Sequence, residues 1–337
     1  MALQRVTLDD VARAAGVSRA TASRALTGSG PASQAASERV RAVAAELGFT
    51  PNQAARALAS NRAHAVALVI PEMNTLVLGD PFLGGMITGV SEAFRDTNYQ
   101  LILVIVRPDD APTKAWRLLQ SSYVDGAIVV SHHRGGDLEQ EMGQYAAPMV
   151  HVGRPWQIDT TTYVDVDNAS SGRIAAERLL LRGARRIACV AGPQDMTPAC
   201  DRVDGWRSAL LNAGVEPGPV EHAPFTLRGG VDAMQRLLAR CDDIDAVFAQ
   251  SDLMAAGAVQ VLHDAGRVVG DDVYMVSVDD SAVARSTTPR LTSVTNPAAE
   301  MAGRASRMLL RIMDEGVSPT DIKPEIVEPT LVVRESA

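Results

Sequence analysis

Cysteine is nearly absent from this chain. Only Cys189, Cys200 and Cys241 occur among 337 residues. An odd, scattered trio without metal-ligand spacing excludes a disulfide framework and gives no zinc signature. The N-terminus lacks an apolar stretch long enough for an export signal. The apolar run Ala65 to Ile70 is far too short to cross a bilayer. A cytoplasmic protein with no membrane partner is therefore expected. Glycine-rich phosphate loops of the G-x-G-x-x-G or G-x-x-x-x-G-K type are missing, and so is a G-x-S-x-G nucleophile turn. These absences argue against an enzyme, and no cofactor is implied. His132-His133 is a conspicuous pair after a strand. Neighbours on an extended chain point to opposite sides, which disfavours a shared metal. Aromatic residues make up 4% of the chain, with five phenylalanines, so Phe82 and Phe225 at loop edges stand out.

The length implies two to three domains. Charge is unevenly spread between them. Residues 1–65 hold eight arginines against Asp9, Asp10, Glu38 and Glu46, a net +4 that leaves −12 for the rest of a chain of net −8. A basic head on an acidic body suits a protein that grips phosphate at one end only.

The head reads as short helices. Thr7 stands as an N-cap with Asp10 three residues on. Leu8, Val11, Ala12 and Ala15 then share a face, and Gly16 ends the helix where a left-handed backbone costs glycine little. Ser18 caps a second helix, Arg19 to Leu26, with Ala22, Ala25 and Leu26 turned inward. This is a helix-turn-helix pattern, and Arg19, Ala20, Ser23 and Arg24 face outward toward a DNA major groove. A third helix, Glu38 to Leu47, is expected behind a Ser37 cap, closed by Gly48.

From His64 the pattern becomes α/β. Strands are expected at Ala65 to Ile70, Leu101 to Val106, Gly126 to Val130, Pro148 to Val152, Arg186 to Ala191, Val220 to Ala223, Ala246 to Ala249 and Val273 to Val278. Helices alternate with them, including one near Thr113 to Ser122. Such alternation implies doubly wound parallel sheets in two lobes, with a ligand cleft at the carboxyl ends of the strands.

The strings VTLDDVARAAGVSRATASRAL and ERVRAVAAELGFTPNQAARALA resemble the LacI/GalR family of bacterial transcription repressors, and the likeness extends more loosely to EPTLVVRESA. The resemblance implies an all-α helix-turn-helix head (1–50), a hinge helix and linker (51–63), and a two-lobed effector-binding body (64–337) resembling periplasmic binding proteins. Lobe 1 would comprise about 64–164 and 296–325, lobe 2 about 165–295 and 326–337, with three crossings between them. Arg19, Ala20 and Arg24 match the base-reading positions. Arginine can fork onto guanine for roughly 1–3 kcal/mol of discrimination. Thr7 falls among the DNA-binding positions, and Ser18, Thr21 and Ser23 are small donors for phosphate contacts. Asn52, Ala57 and Leu58 fall in the hinge, with Leu58 at the position of a minor-groove wedge.

For the effector, the resemblance implies Asp80 and Phe82 in an Asp-Pro-Phe turn, Arg202 as a clamp, Phe225 as a stacking ring, and the carboxylates Asp252 and Asp279. Asp80 and Asp252 also suit helix capping. Ser251 replaces a frequent asparagine and Asn296 a frequent glutamine, which alters reach. A sugar is expected, with a nucleoside or base as the alternative. No leucine heptads follow Leu331-Val-Val-Arg-Glu-Ser-Ala337, so a homodimer on a pseudo-palindromic operator is expected. The rival readings are an exported sugar-binding protein, an enzyme of the doubly wound class, and a regulator without a ligand.

Overall fold

The computed structural model describes residues 6–27, 31–49, 62–107, 119–120, 123–135, 147–156 and 162–337. Two compact units divide at Ala63 and His64.

In the first unit, α1 (Leu8–Ala14) begins in a capping box. The Thr7 side chain accepts from the Asp10 amide, and the Asp10 carboxylate accepts from the Thr7 amide at 3.0 Å. Gly16 follows at φ +66°, the left-handed turn its missing side chain allows. The Ser18 hydroxyl accepts from the Thr21 amide at 3.1 Å and opens α2 (Arg19–Thr27). The third helix departs from expectation. α3 runs Gln34–Glu46 and is capped by Ser33, not Ser37. Gln34-Ala35-Ala36 has high helix propensity and extends the helix a turn upstream to the earlier serine. Val11, Ala12, Ala15, Ala22, Ala25, Val40 and Ala44 close the small core, while Leu8 and Leu26 are half-buried at its margin.

The second unit holds two six-stranded sheets. The first comprises β1 (Ala65–Ile70), β2 (Gln100–Ile105), β3 (Gly126–Val129), β4 (Met149–Val152), β5 (Tyr163–Val166) and β11 (Glu325–Val327), in the order β11-β5-β4-β3-β1-β2, all parallel. The second comprises β6 (Ile187–Ala191), β7 (Val220–His222), β8 (Ala246–Ala249), β9 (Tyr274–Asp279), β10 (Thr292–Thr295) and β12 (Leu331–Val332), in the order β12-β10-β9-β8-β6-β7. Only β12 runs antiparallel. The apolar run of β1 is buried along its whole length, as a central parallel strand requires.

Helices α4 (Asn74–Gly79) and α5 (Pro81–Ala93) follow β1. The lobe-2 helices are α6 (Asn168–Leu181), α7 (Thr197–Asn212), α8 (Leu227–Arg240), α9 (Asp252–Asp264) and α10 (Ala282–Ser286). α11 (Ala298–Glu315) returns to the first sheet and buries Met301, Ala302, Ala305, Met308 and Leu309 in its core. The chain passes between sheets after β5, after β10 and after β11. Of the expected helix near 113–122 only residues 119–120 are described, as helical, and the hinge residues Asn52, Ala57 and Leu58 lie outside the described residues.

Candidate functional site

A cavity of about 750 Å³, including the space at its open mouth, lies between the two sheets of the second unit. It is lined from the loops that leave the carboxyl ends of β1, β3, β4, β5, β6, β7, β8, β9 and β10. That is where parallel sheets leave main-chain groups and side chains free to meet a ligand.

Five of the six expected effector residues converge on it: Asp80, Phe82, Arg202, Phe225 and Asp279. Asp80 does two jobs. It lines the cavity and caps α5, accepting from the Phe82 amide at 2.9 Å. Burial raises its pKa to about 6; the Phe82 hydrogen bond opposes the rise and repulsion from Glu72 adds to it.

Arg202 is 4% exposed. Its Nε donates to Asn168 Oδ1 at 2.8 Å and its Nη1 to the Gln250 carbonyl at 2.8 Å, so the plane of the fork is fixed from two sides. The close packing of α6 on α7 sets that geometry. A Cβ on Gly172 would stand 2.0 Å from the Arg202 carbonyl oxygen, and one on Gly205 1.9 Å from that of Ala169.

Asp279 ends β9 with φ +113°, and Asp280 follows at φ +51°. Two successive non-glycine residues in that region store backbone strain, which surrounding bonds must hold. Asp279 accepts from Asn296 Nδ2 at 3.0 Å, the Asp280 amide donates to Ser293 Oγ at 2.9 Å, and Arg334 pairs with the Asp280 carboxylate. Burial drives the Asp279 pKa well above the carboxylate range, and Asp252 adds to the rise while Arg202 opposes it.

Phe225 rests against Gly192, where a Cβ would lie 2.1 Å from its Cζ. Gly192 is itself pinned, donating to Gln250 Oε1 at 3.0 Å and accepting from His222 Nδ1 at 2.7 Å.

Asp252 is the exception. It is 1% exposed and absent from the cavity lining. Its Oδ1 accepts from Ser277 Oγ at 2.5 Å and Ser293 Oγ at 2.8 Å, and its Oδ2 from the Ser281 amide at 2.7 Å. The carboxylate is spent tying β9, β10 and α10 together. It is not the helix cap either, because Ser251 Oγ takes that place, 3.2 Å from the Met254 amide. Ser251, not Asp252, lines the cavity.

Other residues reach the cavity unexpectedly. Asp165 and Asn168 form a linked pair, Asn168 Nδ2 donating to Asp165 Oδ1 at 3.1 Å. Burial raises the Asp165 pKa to about 6, with the Arg154 and Val166 amides opposing. His132 is 7% exposed, and its Nε2 has no hydrogen-bond partner. Its ring donates to the Val129 carbonyl, and burial depresses its pKa to about 4, with His133 adding to the fall. The ring is therefore neutral at physiological pH, and its Nε2 has no partner in the protein. Asn296 Oδ1 is likewise buried without a partner. Among the described residues no cluster fit to hold a metal ion occurs, and no helix is long and apolar enough to cross a membrane.

In the head, Ser18, Arg19 and Ala20 are exposed on the first turn of α2, while Thr21, Ser23 and Arg24 are half-buried. Arg19 Nε lies 3.5 Å from Asp9 Oδ1. Arg24 Nη2 donates weakly to Thr21 Oγ1 at 3.4 Å, and its Nε is buried without a partner. Thr7 is held in its capping box at the start of α1.

Comparison with known proteins agrees with this division. Residues 7–52 match the family model described as bacterial regulatory proteins, lacI family, and residues 176–337 match that of a periplasmic binding protein-like domain. The HTH-type transcriptional regulator CelR of Thermobifida fusca is 41% identical over 99% of this chain and 98% of its own length. The ribose operon repressor of Escherichia coli (strain K12) is 31% identical over 90% of this chain and 92% of its own. Among solved structures, a transcriptional regulator CelR–cellobiose complex has a TM-score of 0.78 at 39% identity, covering 99% of this chain and 100% of that one. A lac repressor dimer bound to operator and the anti-inducer ONPF has a TM-score of 0.86 at 22% identity, covering 99% of each chain, and speaks for the fold alone. A basic helix-turn-helix head, a two-sheet body with a cleft at its strand ends, and near full-length relatives above 30% identity lead to one assignment: the chain belongs to the LacI family of bacterial regulatory proteins.

Proposed function

We propose that this protein is a cytoplasmic transcription repressor, without enzymatic activity, that a sugar releases from a pseudo-palindromic operator. Residues 1–50 are the DNA-binding head, 51–63 the hinge, and 64–337 the effector-binding and dimerising body. Lobe 1 takes about 64–164 and 296–325, and lobe 2 the remainder. Two copies place their α2 helices in successive major grooves about one helical turn apart. Arg19 and Arg24 read bases there, Ala20 leaves room for a thymine methyl, and Thr7, Ser18, Thr21 and Ser23 hold phosphates. Asn52, Ala57 and Leu58 add the hinge contacts, Leu58 in the minor groove.

One observation carries the sugar reading: the convergence of Arg202, Asp80, Asp279 and the two rings Phe82 and Phe225 on a cavity of about 750 Å³. Carboxylates and a guanidinium fork bind vicinal hydroxyls, and aromatic faces bind the apolar faces of pyranose rings. Likeness to a regulator solved with cellobiose makes cellobiose, or a related glucose disaccharide, the first ligand to try. Effector acts through its different affinity for two arrangements of the lobes.

The test is selection of bound DNA from a random pool by the purified chain, at two salt concentrations, with and without cellobiose. A palindrome with a steep salt slope, lost on adding the sugar, is the expected result. No enriched sequence under any condition would overturn the repressor reading.

A further inference from the structure

Effector affinity in a two-lobed protein depends on the cavity wall and also on how often the lobes stand in the binding arrangement. One rim of the cleft carries a dense set of lobe-to-lobe bonds in which no expected effector residue takes part. Its centre is Asp195, in the loop between β6 and α7. The Asp195 carboxylate pairs with His133 Nδ1 at 2.8 Å, and His133 Nε2 reaches Glu72 Oε1 at 3.1 Å. The main-chain carbonyl of Asp195 accepts twice from lobe 1, from the Arg134 amide at 2.7 Å and from Trp156 Nε1 at 2.6 Å. The Arg134 guanidinium then lies over the Trp156 ring, 3.6 Å from its centroid.

Beside this hub is a second charged link. Arg154, after β4, holds the Asp201 carboxylate on α7 with Nη2 at 2.6 and 2.8 Å. Thr197 Oγ1 also donates to the Arg154 carbonyl. Glu72 follows β1, His133 and Arg134 follow β3, Arg154 and Trp156 follow β4, Asp195 follows β6, and Thr197 and Asp201 stand in the first turns of α7, so the bonds join the two lobes from several strand ends. Burial disfavours a charged His133, but the hydrogen bonds and charges of Glu72 and Asp195 outweigh it and raise its pKa to about 9, so the link is ionic at neutral pH.

We propose that Asp195, clasped by His133, Arg134 and Trp156 and seconded by the Arg154–Asp201 pair, is a latch that holds the lobes together and sets effector affinity without touching the effector. Asp195 and His133 are positioning residues in this scheme. The consequence is particular to a charged latch around a neutral ligand. His133, Asp195, Arg154 and Asp201 keep 28, 48, 31 and 29% of their side chains exposed, enough for salt to screen them. Binding of an uncharged sugar should then weaken as salt rises, although the sugar carries no charge to screen. This inference rests on the sugar reading for its affinity arm alone; its conformational arm needs no ligand.

The experiment uses the full chain as wild type, Asp195→Ala, His133→Gln and the double variant Asp195→Ala/Arg154→Gln. Small-angle scattering without sugar reports lobe separation, and calorimetry with cellobiose at 50 and 500 mM salt reports affinity. Melting curves show that each variant is folded, and His133→Gln, which keeps a hydrogen-bonding side chain, is the mild variant should another fail. We expect the double variant to scatter as a larger particle and to return to the wild-type profile with saturating cellobiose. Asp195→Ala should bind about tenfold more weakly, ~1.4 kcal/mol, and the salt dependence of wild-type binding should vanish in the double variant. Wild-type scattering from folded variants, with affinity and salt dependence unchanged, would overturn the latch. If wild type binds no cellobiose while the double variant still expands, the latch stands and the sugar reading falls.

Discussion

Gly192→Ala adds one methyl group and tests whether Phe225 is a working wall of the site. Gly192 does not have positive φ, so alanine meets no backbone penalty there. The obstacle is the ring. The new Cβ would lie 2.1, 2.5 and 2.7 Å from Cζ, Cε1 and Cε2 of Phe225. The backbone cannot retreat easily, because the Gly192 amide is bonded to Gln250 and its carbonyl to His222. Phe225 must therefore withdraw by roughly 1.3 Å to reach ordinary van der Waals contact. Overpacking of this kind costs about 1–3 kcal/mol of stability. Because Phe225 lines the cavity, the displaced ring also changes the surface offered to a pyranose face. A lost aromatic contact of about 1.4 kcal/mol lowers affinity about tenfold. Urea unfolding and cellobiose calorimetry read the two effects separately. Adding Phe225→Leu to Gly192→Ala should restore much of the stability, since the smaller side chain clears the methyl, yet leave affinity low. Unchanged affinity in Gly192→Ala with stability reduced as expected would refute the reasoning, because Phe225 could then move without consequence for the ligand.

Arg202→Lys should cost about 2 kcal/mol in urea unfolding and at least tenfold in cellobiose affinity, since one ammonium cannot hold Asn168 Oδ1 and the Gln250 carbonyl in the geometry of a fork; wild-type values for both would refute the clamp. His133 has a pKa raised to about 9 in the fold, against the imidazole model value of 6.5, so its contribution to stability is complete below 6.5 and is lost as pH climbs through 9. It faces Glu72 and Asp195 and neighbours His132, so His133→Gln should flatten the decline in melting temperature between pH 6.5 and 9. Gly205→Ala, with a Cβ 1.9 Å from the Ala169 carbonyl oxygen, should destabilise the fold by about 3 kcal/mol, measured by chemical unfolding. Arg24→Ala should reduce affinity for the selected operator by roughly 10- to 100-fold while leaving binding to random DNA unchanged, as gel shifts at matched salt would show; equal loss on both would make Arg24 a phosphate contact.

What was legible in the sequence follows the strength of each local signal. The run Ala65 to Ile70 was read with both ends correct, because a central parallel strand is apolar throughout. Thr7, Gly16, Ser18 and Gly48 marked helix ends through single side chains or a single permitted φ. Ser37 misled because both it and Ser33 are competent caps, and the alanine-rich stretch between them decides which one is used. Strands β5, β10 and β11 are no shorter than β3, β8 and β7, but Asp165, the Thr-Ser-Val-Thr of β10 and Glu325 break the continuous apolar run that marks β3 and β8, and β12 spans two residues. α11 is different. It was not expected, although Met301, Ala302, Ala305, Met308, Leu309 and Ile312 make a regular helical stripe ended by Gly316 at φ +69°.

The site was legible wherever a residue's chemistry could be tied to a strand end, and illegible wherever its neighbours decide its use. Asp252 and Asp279 show the limit. Both are carboxylates at the ends of lobe-2 strands, Asp252 buried and Asp279 half-buried, and the one local difference between them, a helix for Asp252 to cap, did not foretell its use. Three donors converge on Asp252 from elements 25 to 41 residues away, so its oxygens are committed before a ligand arrives. Asp279 receives one side-chain amide, and an unusual backbone angle keeps its carboxyl at the cavity wall. The same division separates His132 from His133. Past the end of β3, with Ser131 at φ +58°, one ring reaches the cavity and the other the opposite lobe, and only the tertiary fold supplies Asp195 to meet it. Burial without partners is what leaves His132 Nε2 and Asn296 Oδ1 costly in isolation, and a ligand with several hydroxyls is the kind of molecule that relieves both at once.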